Sequence, residues 1–283
     1  MSRVETILQA MATGVANPEM QLVQTGFRMA LADNWDIKPD ASVLEIGCGQ
    51  GDMTAVLADI VGGQGQVTAV DIADPSYGAP VSLGDAAAFL LSTPLGARVD
   101  IRFNFDVLDD ARDFGVDTFD NVVLSQCSWY FESVGQFQDI LTKIRPWARS
   151  LCFSEWDLVP RDGDQLPHLL AVLIQGQFEA AGSRGDGNVR TPFSRETLLR
   201  ALEATGWRVT SQHTVHDPAM HDADWEIGSC LAIASDEARL ALLPDAVREF
   251  VGSQVDVLRA IARDRGNAPL PAYTVTAERT SGQ

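Results

Sequence analysis

The sequence predicts a doubly wound α/β fold on a mostly parallel sheet, and three observations predict it. An apolar strand, Val43-Leu44-Glu45-Ile46, runs directly into Gly47, Gly49 and Gly51. A second apolar strand, Val67 to Val70, ends on Asp71, twenty residues after the last of those glycines. Strand and helix patterns then alternate as far as residue 156, as parallel strands joined by crossover helices require.

Each element has its own signal. Residues 3–13 and 18–34 read as helices ahead of the sheet, with Pro18 near the second start and Pro39 just before strand one. After the glycine loop, Met53, Val56, Leu57, Ile60 and Val61 recur at helical spacing until Gly62-Gly63 stops them. Strand two is expected at 66–71, a helix at 81–92 ending near Pro94, and strand three at Val99 to Phe103. Strand four, Phe119 to Leu124, is nearly all apolar, as a strand buried on both faces must be. Ser133 with Gln136 forms a capping box for a helix carrying Phe137, Ile140, Leu141 and Ile144, stopped by Pro146. Strand five is Leu151 to Trp156.

The second half is looser. An insertion at about 157–192 holds one helix (165–181) and a mobile-looking stretch, Gly182 to Asn188. Ser194 caps a helix ending at Gly206, a strand follows at 207–215, and a second insertion at about 217–266 is helical. The tail, Ala272 to Glu278, alternates apolar and polar residues and reads as a half-exposed edge strand. The organisation is therefore an N-terminal helical cap segment, 1–38, and a main domain, 39–283, carrying two cap insertions.

Bulk properties exclude several classes. A chain of 283 residues with 46% hydrophobic residues builds one large soluble domain. The N-terminus lacks the basic start and apolar run of a signal peptide, and no stretch approaches a membrane span, so a cytoplasmic protein without membrane partners is expected. Cys48, Cys127, Cys152 and Cys230 form no Cys-x-x-Cys pair, which points to buried free thiols and no metal site. A net charge of −18 argues against nucleic acid, whose phosphates demand clustered Lys and Arg. His213, His216 and His221 cluster after strand six but match no standard metal spacing and read as surface residues.

The glycine loop separates two cofactors. Dinucleotide binding needs Gly-x-Gly-x-x-Gly so that pyrophosphate can rest on a helix N-terminus. Counted from Gly47 or Gly49 the third glycine is missing; Asp52 and Thr54 stand there instead, and Glu45 adds a second acid. Acidic groups suit a ligand carrying an ammonium and a sulfonium. Glu45 through Gly51 resembles the first motif of the class I S-adenosylmethionine-dependent methyltransferases, Glu/Asp-x-Gly-x-Gly-x-Gly. That resemblance covers about 40–215 plus the tail. It implies a seven-stranded Rossmann-like sheet whose last strand inserts antiparallel between strands five and six, with S-adenosyl-L-methionine as cofactor.

The resemblance also implies a set of site residues. Glu45, Gly47, Gly49 and Gly51 form the cofactor loop, and Asp71 accepts from the ribose hydroxyls. Ile72 packs on the adenine face. Asp106 accepts from the adenine amino group, with Asp109 and Asp110 as competitors, and the Val107 backbone meets the ring. Ser125 and Gln126, after strand four, border the methionine part. Trp129 and Tyr130 face the substrate, or else pack beneath an insertion. Candidate bases are His168, Glu155, Asp157 and Tyr130; a plain helix-surface histidine is the competing reading of His168.

These residues point to methyl transfer onto a small organic acceptor, in specialised-metabolite biosynthesis, by an enzyme for which a homo-oligomer is compatible. A methyltransferase-like cofactor binder with a regulatory or non-methylating role is the alternative. A short-chain NAD(P)-dependent oxidoreductase is less favoured, because none of Tyr77, Tyr130 and Tyr273 is followed by Lys four residues on.

Overall fold

A computed structural model describes residues 2–13, 17–185 and 187–280. Helices α1 (Arg3–Leu8) and α2 (Pro18–Ala32) precede strand β1 (Ser42–Ile46). There follow α3 (Asp52–Val61), β2 (Gln66–Val70), α4 (Leu83–Leu91), β3 (Val99–Arg102), β4 (Phe119–Ser125), α5 (Val134–Ile144) and β5 (Ala148–Trp156). The second half contains α6 (Leu166–Ala180), α7 (Arg195–Ala204), β6 (Trp207–Val215), α8 (Asp222–Ile233), α9 (Glu237–Ala241), α10 (Asp245–Arg265) and β7 (Ala272–Arg279).

The seven strands form one sheet in the order β3-β2-β1-β4-β5-β7-β6. β1 to β5 run parallel, whereas β7 is antiparallel to both β5 and β6. The doubly wound Rossmann-like sheet expected from the sequence is therefore present, with its reversed last strand in the interior. The edge-strand reading of the tail is corrected: β7 is buried along most of its length, and β6 is the edge. Thr274 and Thr276 of β7 make the pattern look half polar, yet both pair with β5 on one side and β6 on the other.

Two apolar clusters cover the two faces of the sheet. One unites Phe27, Leu31 and Trp35 with Val56, Leu57, Trp129 and Trp156; the other unites Leu44, Phe137, Leu141, Phe153, Leu202 and Tyr273. A third cluster lies away from the sheet, where Ala171, Ile174 and Phe178 of α6 meet Ile227 and Cys230 of α8 and Val251, Val255 and Leu258 of α10. The two insertions thus share one core of their own. Both leave the same edge: Ala272 pairs with Trp156, where the first insertion begins, and with Val215, where β6 ends.

Several boundaries shift for local reasons. The first helix, capped at its start by Ser2 and Glu5, stops at Leu8, and Ala10 and Met11 just beyond it are buried. β5 starts three residues early, at Ala148; Arg149 and Ser150 hide the strand pattern, but Ser150 pairs with Asn121 and Glu278. Within the stretch read as mobile, Asp186 lies outside the described residues, and Ser183 to Gly185 are pinned. Arg239 donates to the Ser183 carbonyl and hydroxyl and pairs with Glu179 at 3.2 Å, while the Gly185 N–H donates to Glu179 at 2.9 Å. All four cysteines are buried and free. No helix among the described residues is long and apolar enough to cross a membrane, and no group of acidic, His or Cys residues there could hold a metal.

Candidate active site

The glycine loop is held by the end of β2. The N–H groups of Gly47 and Cys48 both donate to the Val70 carbonyl, and Gly51 closes the turn by donating to Cys48 O at 2.9 Å. Gly47 and Gly49 adopt φ of +76° and +52°, a region where a Cβ is costly. The two differ in what a side chain would meet. At Gly47 a Cβ would lie 2.7 Å from the Cys127 side chain, so packing demands glycine. At Gly49 it would meet nothing within 4 Å, so the space ahead of the loop is open to a ligand.

Asp71 completes that cradle. One carboxylate oxygen accepts the Gly49 N–H at 2.8 Å and the other the Ala73 N–H at 2.9 Å. Each oxygen keeps lone pairs for a hydroxyl of a vicinal diol, and the half-buried setting makes such bonds charge-assisted and partly dry. Ile72 is 64% exposed, so it is no core filler; a large aliphatic face stands ready for a flat ring. The loop after β3 is tied alongside by Phe105 N–H donating to Asp71 O and Asn104 N–H to Ala73 O. Asp106 is exposed there, bonded to the Leu108 N–H, and Val107 next to it is buried. Adenine, ribose and thioether positions would thus run along the edge from β3 through β2 to β1.

Beneath the loop, Glu45 is buried and accepts the Thr54 hydroxyl at 2.5 Å. Burial pushes its carboxyl up to about 8, which the Thr54 bond opposes and Asp71 and Asp52 reinforce. A cation placed above the loop would favour its charged form. The acidic groups around the loop therefore fit a ligand with a sulfonium and an ammonium, and Asp52 at the start of α3 places a carboxylate where a pyrophosphate would have to rest.

The loop after β4 forms the far wall. Gln126 takes a left-handed turn (φ +51°) and donates its N–H to Ser154 O, and the Ser125 and Ser154 hydroxyls lie 2.9 Å apart. Ser128 donates its N–H and its hydroxyl to Glu155 at 3.2 and 2.8 Å. Burial pushes the Glu155 carboxyl up to about 7 against those bonds. Glu155 thereby fastens the β4 loop to β5 and faces its own backbone, with the Trp156 N–H on its second oxygen. Trp129 is buried, with an indole N–H that has no partner among the described residues, and its carbonyl accepts from Arg190 and Thr191 of the first insertion. Tyr130 is 42% exposed, and burial of its hydroxyl pushes its pKa up, away from any role as a phenolate at neutral pH. A groove of about 830 Å³ that Tyr130 does not line lies between Ser133 and Val134 at the start of α5 and Leu173, Gly176 and Pro192.

His168 is neither on the helix surface nor poised as a base. It is fully buried, edge-on to Trp156, and its Nδ1 accepts the Leu270 N–H at 3.0 Å. That bond puts the ring proton on Nε2 and leaves no lone pair for a substrate. Burial pushes its pKa down to about 3. Asp157 is likewise committed, to Arg195 at 2.5 Å, whose guanidinium stacks over Tyr273. His213, His216 and His221 are on the surface.

Sequence reading passed over Gln24, Arg28 and Asp222. Arg28 of α2 pairs with Asp52, the first residue of α3, at 3.1 Å, and Thr13 donates to the same carboxylate. The signal was present: Gln21, Gln24 and Arg28 recur at helical spacing in a helix whose other buried residues are Thr25, Phe27, Leu31 and Ala32.

Known proteins share this arrangement. The family model described as a methyltransferase domain matches residues 22–212. The fungal methyltransferase phomM′ of Diaporthe leptostromiformis is 27% identical over 266 residues, covering 79% of this chain and 68% of that protein. The crystal structure of a cyclopropane-fatty-acyl-phospholipid synthase-like protein from Lactobacillus casei is 35% identical, with a TM-score of 0.86 and 98% of both chains covered. The [4+2]-cyclase SpnF shares the fold alone, at 16% identity and a TM-score of 0.55 over 91% of this chain and 82% of that one. The match spans well over half of this chain and includes the glycine loop and its Asp71 partner. The chain belongs to the methyltransferase-domain family and is an S-adenosylmethionine-dependent methyltransferase.

Proposed function

We propose that the protein methylates a small organic acceptor in the biosynthesis of a specialised metabolite. The observation that carries this reading is the open cradle of Gly49 and Asp71 at the carboxyl ends of β1 and β2, beside a β4 loop covered by the first insertion, whose Arg190 and Thr191 donate to Trp129 O. Small acceptors need such a cover, because displacement at a methyl carbon requires exclusion of water and alignment of the nucleophile. The methyltransferase name of the fungal relative supports the same reading.

In this reading Asp71 holds the ribose, Ile72 and Val107 border the adenine, and Asp106 accepts from its amino group. Glu45, Gly47, Gly49 and Gly51 form the floor, and Ser125 and Gln126 close the methionine side. When bound, S-adenosylmethionine supplies an electrophilic methyl group on a sulfonium that departs as a neutral thioether. The protein's part is then orientation and dryness. Trp129 and Tyr130 hold the acceptor, the former through its unpartnered indole N–H, the latter as a hydroxyl donor. His168 and Glu155 keep the surrounding walls in place, and no dedicated base is needed for an acceptor that ionises readily.

The test is incubation of the full-length protein with methyl-labelled cofactor and a panel of phenols, carboxylic acids, amines and activated carbon acids, read by mass spectrometry. A product one methyl heavier, dependent on Trp129 and Tyr130, supports the reading. Cofactor binding without transfer to any small acceptor would favour the non-methylating alternative.

A further inference from the structure

The cofactor residues named so far account for the nucleoside, the thioether and the border of the methionine part, but supply no cationic donor to its carboxylate. The carboxylates of Asp52 and Asp71 beside the loop would repel it. A donor set is needed, and the loop itself contains no cation.

Helix α2 supplies one. Gln24 and Arg28 are four residues apart, hence on one helix face. Gln24 is 95% buried, being 5% exposed, and its Nε2 has no hydrogen-bond partner among the described residues. Arg28 spends Nη2 on Asp52 at 3.1 Å, while its Nη1 is buried and also without a partner. Two unpartnered buried N–H donors one turn apart cost stability unless something meets them, and an anionic ligand group at this place would meet both. Their position is fixed by Asp52, which directly follows Gly51 of the cofactor loop. With adenine beyond β3 and ribose at β2, the amino-acid end falls past β1, where Asp52 and Arg28 stand. Arg28 is also close enough to act electrostatically on both Glu45 below the loop and Asp222 at the start of α8.

We propose that Gln24 and Arg28 form the carboxylate subsite of the cofactor pocket, with Gln24 Nε2 and Arg28 Nη1 donating to the methionine carboxylate. The N-terminal segment then completes the cofactor site as well as covering it. Arg28 acts as a bridge: one nitrogen holds the glycine-loop helix through Asp52, and another holds the ligand. This inference rests on S-adenosylmethionine being the cofactor.

The experiment is calorimetry of the full chain with two ligands, S-adenosylhomocysteine and 5′-methylthioadenosine, which keeps the nucleoside and thioether but lacks the amino-acid group. The variants are Gln24→Leu, Arg28→Met, and Arg28→Met with Asp52→Asn, the last leaving no orphan carboxylate should the single variant fold poorly. Loss of a hydrogen bond to a charged group should weaken S-adenosylhomocysteine about 10- to 100-fold, with 5′-methylthioadenosine changed less than about 3-fold. Equal affinity of wild type and variants for S-adenosylhomocysteine overturns the subsite. So does an equal loss for both ligands, which would mean a disturbed nucleoside pocket. Unchanged S-adenosylhomocysteine affinity with a raised acceptor KM would transfer the donors to an acceptor carboxylate and also overturn it. If wild type binds neither ligand, the cofactor reading itself fails, an outcome distinct from the others.

Discussion

The backbone N–H of Gly49 donates to the carboxylate of Asp71 at 2.8 Å, joining two motifs 22 residues apart before any ligand arrives. Asp71 is therefore both a ligand acceptor and a strut of the loop, since its second oxygen holds the Ala73 N–H.

Replacing it separates the two roles. Asp71→Ala should weaken S-adenosylhomocysteine by roughly 2–4 kcal/mol and lower the stability of the ligand-free protein by about 1 kcal/mol, through the two N–H groups left behind. Calorimetry and urea unfolding read these separately. Wild-type affinity in the variant would move ribose recognition elsewhere.

Gly49→Val should behave oppositely in its balance of effects. A side chain there meets no protein atom, so folding survives at a cost of about 1–3 kcal/mol for the left-handed backbone. The open space is lost to the ligand, so binding should fall below detection while circular dichroism stays native. Retained affinity would show that the ligand lies away from the loop.

Glu45 gives the ligand-free protein a pH signature. Its carboxyl, ordinarily near 4.5, is raised to about 8 by burial, so the fold holds a proton that the unfolded chain has lost between those values. Stability from this group is full below pH 4.5, declines as pH rises toward 8, and is flat above; over the window it amounts to a few kcal/mol. Glu45→Gln should remove that decline in urea titrations between pH 5 and 8.5. A variant curve parallel to wild type would mean that Glu45 is already charged in the fold.

His168 carries the opposite slope. Its pKa falls from about 6.5 to about 3, so the unfolded chain binds the extra proton and stability drops as pH falls through that window. His168→Asn, which can still accept from Leu270, should flatten the acid limb and leave the pH profile of turnover unchanged. A shifted turnover profile with cofactor affinity intact would restore a catalytic base.

Arg239 should govern the segment after α6. It clamps Ser183 and Glu179 and lies over the Phe178 ring, so Arg239→Ala should cost about 1–3 kcal/mol by orphaning half-buried Glu179. Hydrogen exchange should quicken at Ser183 to Gly185 and not in β1 to β5. Uniform change across the sheet would mean that the clamp holds the whole fold together.

The sequence alone determined the parallel sheet, the glycine loop and the Asp71 partner, because these depend on local rules. Strand and helix periods, turn glycines and the step from loop to acid are all legible within about thirty residues. In the tail the two signals diverged: alternation suggested an edge strand, because it reports only which side chains are polar, whereas the family resemblance implied the place between β5 and β6 that the assembled sheet has. The same holds for His168. A histidine in an amphipathic helix carries no sign of its environment, and burial against Trp156 together with the Leu270 N–H sets its tautomer and removes it as a base. Gln24 and Arg28 stood in the sequence as ordinary polar residues of a helix. Packing alone brought them beside Asp52, because contacts between α2 and α3 are fixed by the apolar core they share, and pairing across that core cannot be read from either helix by itself.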